Sequence, residues 1–282
     1  MGANKVGDIA ELTALAEPTH GMITNIGKAH LEGFGGAEGV VIGKTEMYAF
    51  VKQHGGTLFV NGDDQLLMEK SAGITRVTYG TEEGVQTRGR SMAEDAFLTV
   101  VFSGRDGDEH QARTRLVGAY NLPNALAAIA IGQHFGIADD RIAGALEAYR
   151  PSNSRSQFTD TGRNQLVLDA YNANPTSMAA ALENFARLPS DRRKLAILGD
   201  MRELGPTSAL EHQAIVHQLE KLGIETMLVG GEFMNTNGGS SLRRFADADD
   251  LLKALTEEQP NAAIILIKGS RGIKLETVIP AL

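Results

Sequence analysis

The residues best suited to chemistry sit in short polar segments that follow apolar runs. His30, in ITNIGKAHLEGFG (Ile23 to Gly35), comes after a β-rich run and a glycine, where an imidazole at the C-terminal edge of a sheet can ligate a cation. A lone histidine is more often structural. Lys44 has apolar neighbours in Val40, Val41, Met47 and Tyr48, so it is either a snorkelling surface lysine or a half-buried amine. Asn121 and Asn124 stand three apart at a helix start and can turn both amides to one side; capping is the plainer job for Asn121. Arg155 carries a guanidinium suited to phosphate, or simply a solvated linker charge. Asp169 ends a strand and precedes Tyr171, Asn172 and Asn174; its carboxylate suits sugar hydroxyls, whereas Asn174 doubles as an N-cap for the helix that Pro175 opens. Asp200 follows another strand, and Lys268, Ser270 and Arg271 follow a third; these last three can bind a carboxylate or form a charged turn.

Gly43-Lys44-Thr45 looks like the end of a phosphate loop, GxxxxGK[ST], but the spacing fails. The position that needs the first glycine is Glu38, inside a continuing helical pattern. Such a loop needs an open turn whose N–H groups converge on phosphate, and a helix interior does not offer one.

These segments need elements to hold them. His20 to Ile26 reads as a strand, Gly36 to Lys52 as a helix, and Thr57 to Val60 and Thr75 to Tyr79 as strands. Two β-rich runs between Phe97 and Val117 flank SGRDGDEH, a hairpin connection. Helices follow at about Asn121 to Phe135 and Asp139 to Tyr149. Arg150-Pro151-Ser152-Asn153-Ser154 reads as a linker, because proline disfavours helix before it. Beyond it Gln165 to Asp169, Lys194 to Leu198, Thr226 to Val229 and Ala263 to Ile267 read as buried strands separated by helices, a Rossmann-like, mainly parallel sheet. The helix at Ser208 to Leu222 puts Leu210, Ala214, Ile215, Leu219 and Leu222 on one stripe, with Glu211, His212 and Gln218 off it, and that stripe is expected to face the sheet.

With 282 residues there is material for about two domains. The absence of cysteine excludes disulfides and thiolate chemistry. A net charge of −8 argues against nucleic acid or an anionic membrane as the main partner. The longest apolar run, Ala125 to Ile131, is far too short to span a bilayer, the N-terminus lacks signal-peptide character, and a cytoplasmic location is expected.

ITNIGKAHLEGFG, YNLPNALAA (Tyr120 to Ala128), SRSQ (Ser154 to Gln157), LDAYNANPTSM (Leu168 to Met178), LGDMRELG (Leu198 to Gly205) and KGSRG (Lys268 to Gly272) together resemble the Mur ligase family, in the family's order and over nearly the whole chain. AHLEGFG, DAYNANPTSM and LGDMRELG single out the branch that adds D-alanyl-D-alanine to UDP-N-acetylmuramoyl-tripeptide in peptidoglycan synthesis. The resemblance implies an ATP-dependent ligase working through an acyl phosphate, with residues 1–151 as the later half of the central ATPase domain and 152–282 as the acceptor domain. It implies that His30 and a carbamylated Lys44 hold Mg2+, although GKTE departs from the family's more usual KGE order. It also places Asn121 and Asn124 near adenine, Arg155 on the phosphates and Asp169 on the ribose. The loops bearing Tyr171, Asn172, Asn174, Asp200, Lys268, Ser270 and Arg271 are then expected to shape the cleft and receive the dipeptide. In the family a UDP-sugar domain, a phosphate loop and an acidic magnesium ligand come before the MGAN segment, which is where this chain begins. The expectation is a chain inactive or nearly so alone, with the earlier part as a possible separate partner. Two other readings stand beside it: a non-catalytic nucleotide-binding scaffold, and a folylpolyglutamate synthetase relative, against which DAYNANPTSM argues. No GxGxxG follows an expected strand, which disfavours a Rossmann oxidoreductase.

Overall fold

The computed structural model describes residues 1–28, 30–92, 96–152, 155–239 and 241–282. Ala29 of the His30 segment, and Asn153 and Ser154 of the expected linker, lie outside them. The chain divides into two compact units, 1–114 with 119–149, and 115–118 with 150–282.

Unit one contains α1 (Asp8–Ala16), β1 (His20–Met22), α2 (Leu31–Phe34), α3 (Ala37–Gln53), β2 (Thr57–Asn61), α4 (Gln65–Lys70), β3 (Thr75–Gly80), β4 (Thr87–Met92), β5 (Phe97–Ser103), the greater part of β6 (Glu109–Val117, whose last three residues are assigned to unit two), α5 (Leu122–His134) and α6 (Asp139–Ala148). Among the described residues the strands follow their chain order in one sheet, with β1 to β4 parallel and β5 antiparallel to β4. Leu58 and Val60 of β2 turn to one face, where they pack with Ile9 of α1, Met47, Tyr48 and Val51 of α3 and Leu67 of α4. The alternation of a strand sends Phe59 to the opposite face, and α5 packs against β2, β3 and β4. The expected strand from His20 stops at Met22, and residues 23–27 have no regular structure. β4 escapes a reading by apolar runs because TRGRSM is nearly all polar.

Gly43 has a packing role. It is buried within α3, where a Cβ would overlap the ring of Phe34. The glycine that imitates a phosphate loop thus lets α3 approach α2 closely.

Unit two contains β7 (Gln157–Asp160), β8 (Gln165–Asp169), α7 (Pro175–Arg187), β9 (Arg193–Gly199), α8 (Ser208–Leu222), β10 (Glu225–Val229), α9 (Gly231–Met234), β11 (Leu242–Phe245), α10 (Ala248–Glu258) and β12 (Ala263–Lys268). Its sheet runs β11-β10-β9-β12-β8-β7, parallel apart from β7. β12 lies between β9 and β8 with every residue buried, which explains why AIILIK is apolar almost throughout rather than alternating. Leu166, Leu195, Ile197 and Ile265 pack with Leu251 and Leu255 of α10. The edge strands β7 and β11 are short and carry charge, so neither stands out as an apolar run.

The expected face of α8 holds only in part, through Ile215 and Leu219. Leu210 is 71% exposed and Ala214 is exposed, whereas Glu211, His212, Ile215, Val216 and Leu219 are buried. The helix is turned so that His212 enters the core, because its ring satisfies a backbone group there.

Candidate functional site

In unit one, parallel pairing of β1 with β2 brings the segment after Met22 out at the C-terminal end of the sheet. His30 ends that segment and caps α2. Its backbone is left-handed, with φ of 55°, and its carbonyl accepts a hydrogen bond from Phe34 N at 3.1 Å. Left-handed backbone is uncommon for a non-glycine residue, and such positions gather at functional sites. Lys44 reaches the same segment from α3, its Nζ donating to the Asn25 carbonyl at 2.9 Å. Half-burial pushes its pKa below the ordinary lysine value, because desolvation penalises the ammonium. Asn124 Nδ2 approaches Asn121 Oδ1 at 3.4 Å, so the pair does turn its amides to one side, with Asn121 buried.

In unit two the C-terminal ends of β8, β9 and β12 carry the expected residues. Register sets Lys268 opposite Asp169, and the pair closes at 2.5 Å with Lys268 only 1% exposed. A buried ammonium needs such a partner. The carboxylate expected on a ribose therefore also neutralises a buried lysine, which in addition faces the Asn172 carbonyl at 3.5 Å. Ser270 ties three loops together: its N–H donates to the Asp200 carbonyl at 3.1 Å, its Oγ accepts from Arg202 N at 2.9 Å, and it lies 3.5 Å from the Ala173 carbonyl. Tyr171, 38% exposed, lies under the Arg155 guanidinium at 3.8 Å, with that of Arg271 at 5.7 Å from the ring centre. Two cations thus approach one aromatic ring.

Three of the residues expected to contact substrate are engaged in local structure. Asn172 Oδ1 accepts from Ala173 N. Asn174 makes a full capping box with Ser177 at the start of α7. Asp200 accepts from the backbone N–H groups of Glu232 and Phe233, both at 3.0 Å, and anchors the start of α9. Gly230 beside it has φ of 122°, and a Cβ there would overlap the carboxylate. His212, which the sequence reading set on the wrong face, accepts from Met201 N through Nε2 at 2.9 Å and donates from Nδ1 to the Ser208 carbonyl at 2.8 Å. It pins the loop after β9. Only the Ser208–His212 spacing of four is visible in the sequence; the contact with Met201 is tertiary.

Among the described residues, Asp106, His110 and Asp139 are the three histidine or carboxylate side chains that bring potential metal-ligating atoms within 4.8 Å of one another, and His30 is not among them. Each is already engaged: His110 Nε2 with Asp106 at 3.1 Å, its Nδ1 with Asp140 at 3.2 Å, and Asp139 with Arg105 N and Gln133 Nε2, both at 2.9 Å. No helix among these residues is long and apolar enough to cross a membrane.

Residues 1–132 match the Mur ligase middle domain, and residues 154–271 match the Mur ligase glutamate ligase domain. The UDP-N-acetylmuramoyl-tripeptide–D-alanyl-D-alanine ligase of Bacillus subtilis is 32% identical over 291 residues, covering 99% of this chain and 62% of the relative. That of Escherichia coli is 31% identical over 299 residues, covering 100% and 64%. Among solved structures, MurF from Acinetobacter baumannii superposes with a TM-score of 0.86 at 27% identity, covering 99% of this chain and 63% of that one. MurF ligase from Thermotoga maritima in complex with ADP gives 0.86 at 22% identity, covering 100% and 65%, a likeness of fold. The chain spans just under two thirds of the length of these relatives. Matched along both units, with its signature segments on the edges where open α/β sheets bind ligands, the chain belongs to the Mur ligase family.

Proposed function

We propose that residues 1–151 and 152–282 are, respectively, the later half of the ATPase domain and the acceptor domain of a ligase that joins D-alanyl-D-alanine to UDP-N-acetylmuramoyl-tripeptide. The observation that carries this reading is the match of curated ligases of that name along nearly the whole chain. In the reaction a tripeptide carboxylate oxygen attacks the γ-phosphorus of ATP and ADP leaves. The dipeptide amine then attacks the acyl carbon of the resulting acyl phosphate, phosphate departs, and the amine loses its proton as the amide forms. Such transfers are mostly positioning and charge neutralisation.

Asn121 and Asn124 offer paired amides to an adenine edge. Arg155, with Arg271 on the same tyrosine ring, supplies cationic charge for phosphate or carboxylate. Lys268 and Asp169 hold each other fixed, leaving the outer part of the carboxylate for ribose hydroxyls. Tyr171, partly exposed, holds the Arg155 guanidinium over its ring. Asn172, Asn174, Asp200 and Ser270 act by fixing the loops that carry these groups, a positioning role rather than direct contact.

His30 and Lys44 supply an imidazole and an ammonium, which do not by themselves suit Mg2+, an ion that prefers oxygen. The fit is met once Lys44 is carbamylated: its neutral amine adds to CO2, a C–N bond forms, a proton is released, and two carboxylate oxygens replace the positive charge. The lowered pKa of Lys44 favours that step. A bound Mg2+ would neutralise phosphate charge there.

The 282 residues contain no GxxxxGK[ST] segment, so turnover by the chain alone is expected to be close to nil. The test is ATP-dependent phosphate release with UDP-N-acetylmuramoyl-tripeptide and D-alanyl-D-alanine, with and without a polypeptide matching the remaining third of the relatives. Release that needs both substrates and the added polypeptide is expected. Fast turnover by the chain alone would overturn the inactivity, and indifference to D-alanyl-D-alanine would overturn the acceptor.

A further inference from the structure

At the end of unit one's sheet opposite the His30 segment, two histidines meet. His20 opens β1 and His134 closes α5, 114 residues later, yet their Nε2 atoms lie 3.1 Å apart. Two phenylalanine rings hold them. His20 stacks on Phe59, His134 meets Phe59 edge-on, and Phe135 packs against both imidazoles. On the far side of His20, Thr19 Oγ lies 2.9 Å from Nδ1. A threonine hydroxyl can accept a hydrogen bond from Nδ1–H, which makes Nε2 the unprotonated nitrogen able to ligate. His134 is exposed and His20 half-buried, so further coordination positions open to solvent.

We propose that His20 and His134 form a two-imidazole chelate for a divalent borderline transition cation of the Ni2+ or Cu2+ class. With metal–nitrogen bonds of about 2.0–2.1 Å, the 3.1 Å separation subtends roughly 95–100° at the ion. That is nearer to cis positions of a square-planar or octahedral ion than to a tetrahedral angle, and Ni2+ and Cu2+ favour such geometry. Mg2+ does not compete, because it takes oxygen ligands. The ion therefore differs in chemistry from one that accompanies a nucleotide. Since the ligands come from β1 and α5, the chelate exists only in folded unit one, and binding stabilises that unit by mass action.

The probe is NiCl2 added to the tag-free chain and followed by calorimetry, by histidine ring resonances and by thermal melting. One site is expected, with Ni2+ broadening the His20 and His134 ring signals before those of other histidines and raising the melting temperature. His20→Gln and His134→Gln should each weaken binding by about tenfold or more, whereas His110→Gln and His217→Gln leave it unchanged. Excess MgCl2 should not displace the ion. Absence of saturable binding, earlier broadening at another histidine, or undiminished binding by the His20→Gln/His134→Gln double variant would each overturn the proposal. The ring signals of the unaltered chain decide the matter even where a variant fails to fold.

Discussion

At the scale of single residues, charge placement in the two units leads to different expectations. His110, 15% exposed at its side chain, packs on Phe102 and points both ring nitrogens at carboxylates, Asp106 on its own hairpin and Asp140 on α6, with Asp139 behind. Desolvation works against its charge, but the hydrogen bond and charge of Asp106, with Asp139 and Asp140, raise its pKa above the ordinary histidine value. A raised folded-state pKa gives stability that is full below about pH 6.5, the unfolded value, and is lost as pH rises through the folded value. The urea midpoint of unit one should therefore fall between pH 6 and pH 8.5, and His110→Gln should flatten that fall; an identical slope in the variant would refute the assignment. Lys268 gives a larger effect. Lys268→Met leaves the Asp169 carboxylate without its ammonium in a largely buried place, a loss of about 3 kcal/mol in the stability of unit two, readable from urea unfolding.

At the scale of elements, α8 is where pattern and packing part. Its apolar stripe is real, yet Leu210 faces water and His212 is fully buried, because the Met201 N–H at the end of β9 needs an acceptor that the core otherwise lacks. His212→Leu satisfies the apolar surroundings and abandons that N–H, so a cost of about 1–3 kcal/mol is expected, with amide shifts from Met201 toward Phe233. His212→Gln, which keeps an acceptor oxygen, should recover part of the loss; equal destabilisation by both would point to shape rather than hydrogen bonding. α7 is the contrary case. Asn174, Pro175 and Ser177 spell its N-terminus in the sequence, and the capping box forms as those residues suggest. Capping is local, within three residues, whereas the orientation of α8 is set by a group eleven residues away.

At the scale of the molecule, two compact units, each with its own sheet, imply two unfolding events. Calorimetry should resolve two transitions, with Lys268→Met lowering one and His110→Gln altering the pH dependence of the other; a single transition moved equally by both would contradict independent cores. The family's ligation chemistry also belongs to this scale, since the relatives are longer than this chain by more than a third of their own length.

The sequence by itself determined the parallel α/β character of unit two, the place of its buried strands, the helix starts marked by proline and asparagine, the rejection of Gly43-Lys44-Thr45 as a phosphate loop, and the family. Each rests on periodicity, on turn and cap chemistry, or on an ordered set of short segments. Tertiary structure alone decided that Lys268 closes on Asp169, that Ser270 knots three loops, that Asp200 serves the start of α9, that Arg155 and Arg271 share the Tyr171 ring, and that His20 meets His134. The physical reason is separation along the chain: the partners lie as much as 114 residues apart, and only strand register and helix packing bring their atoms within hydrogen-bonding reach.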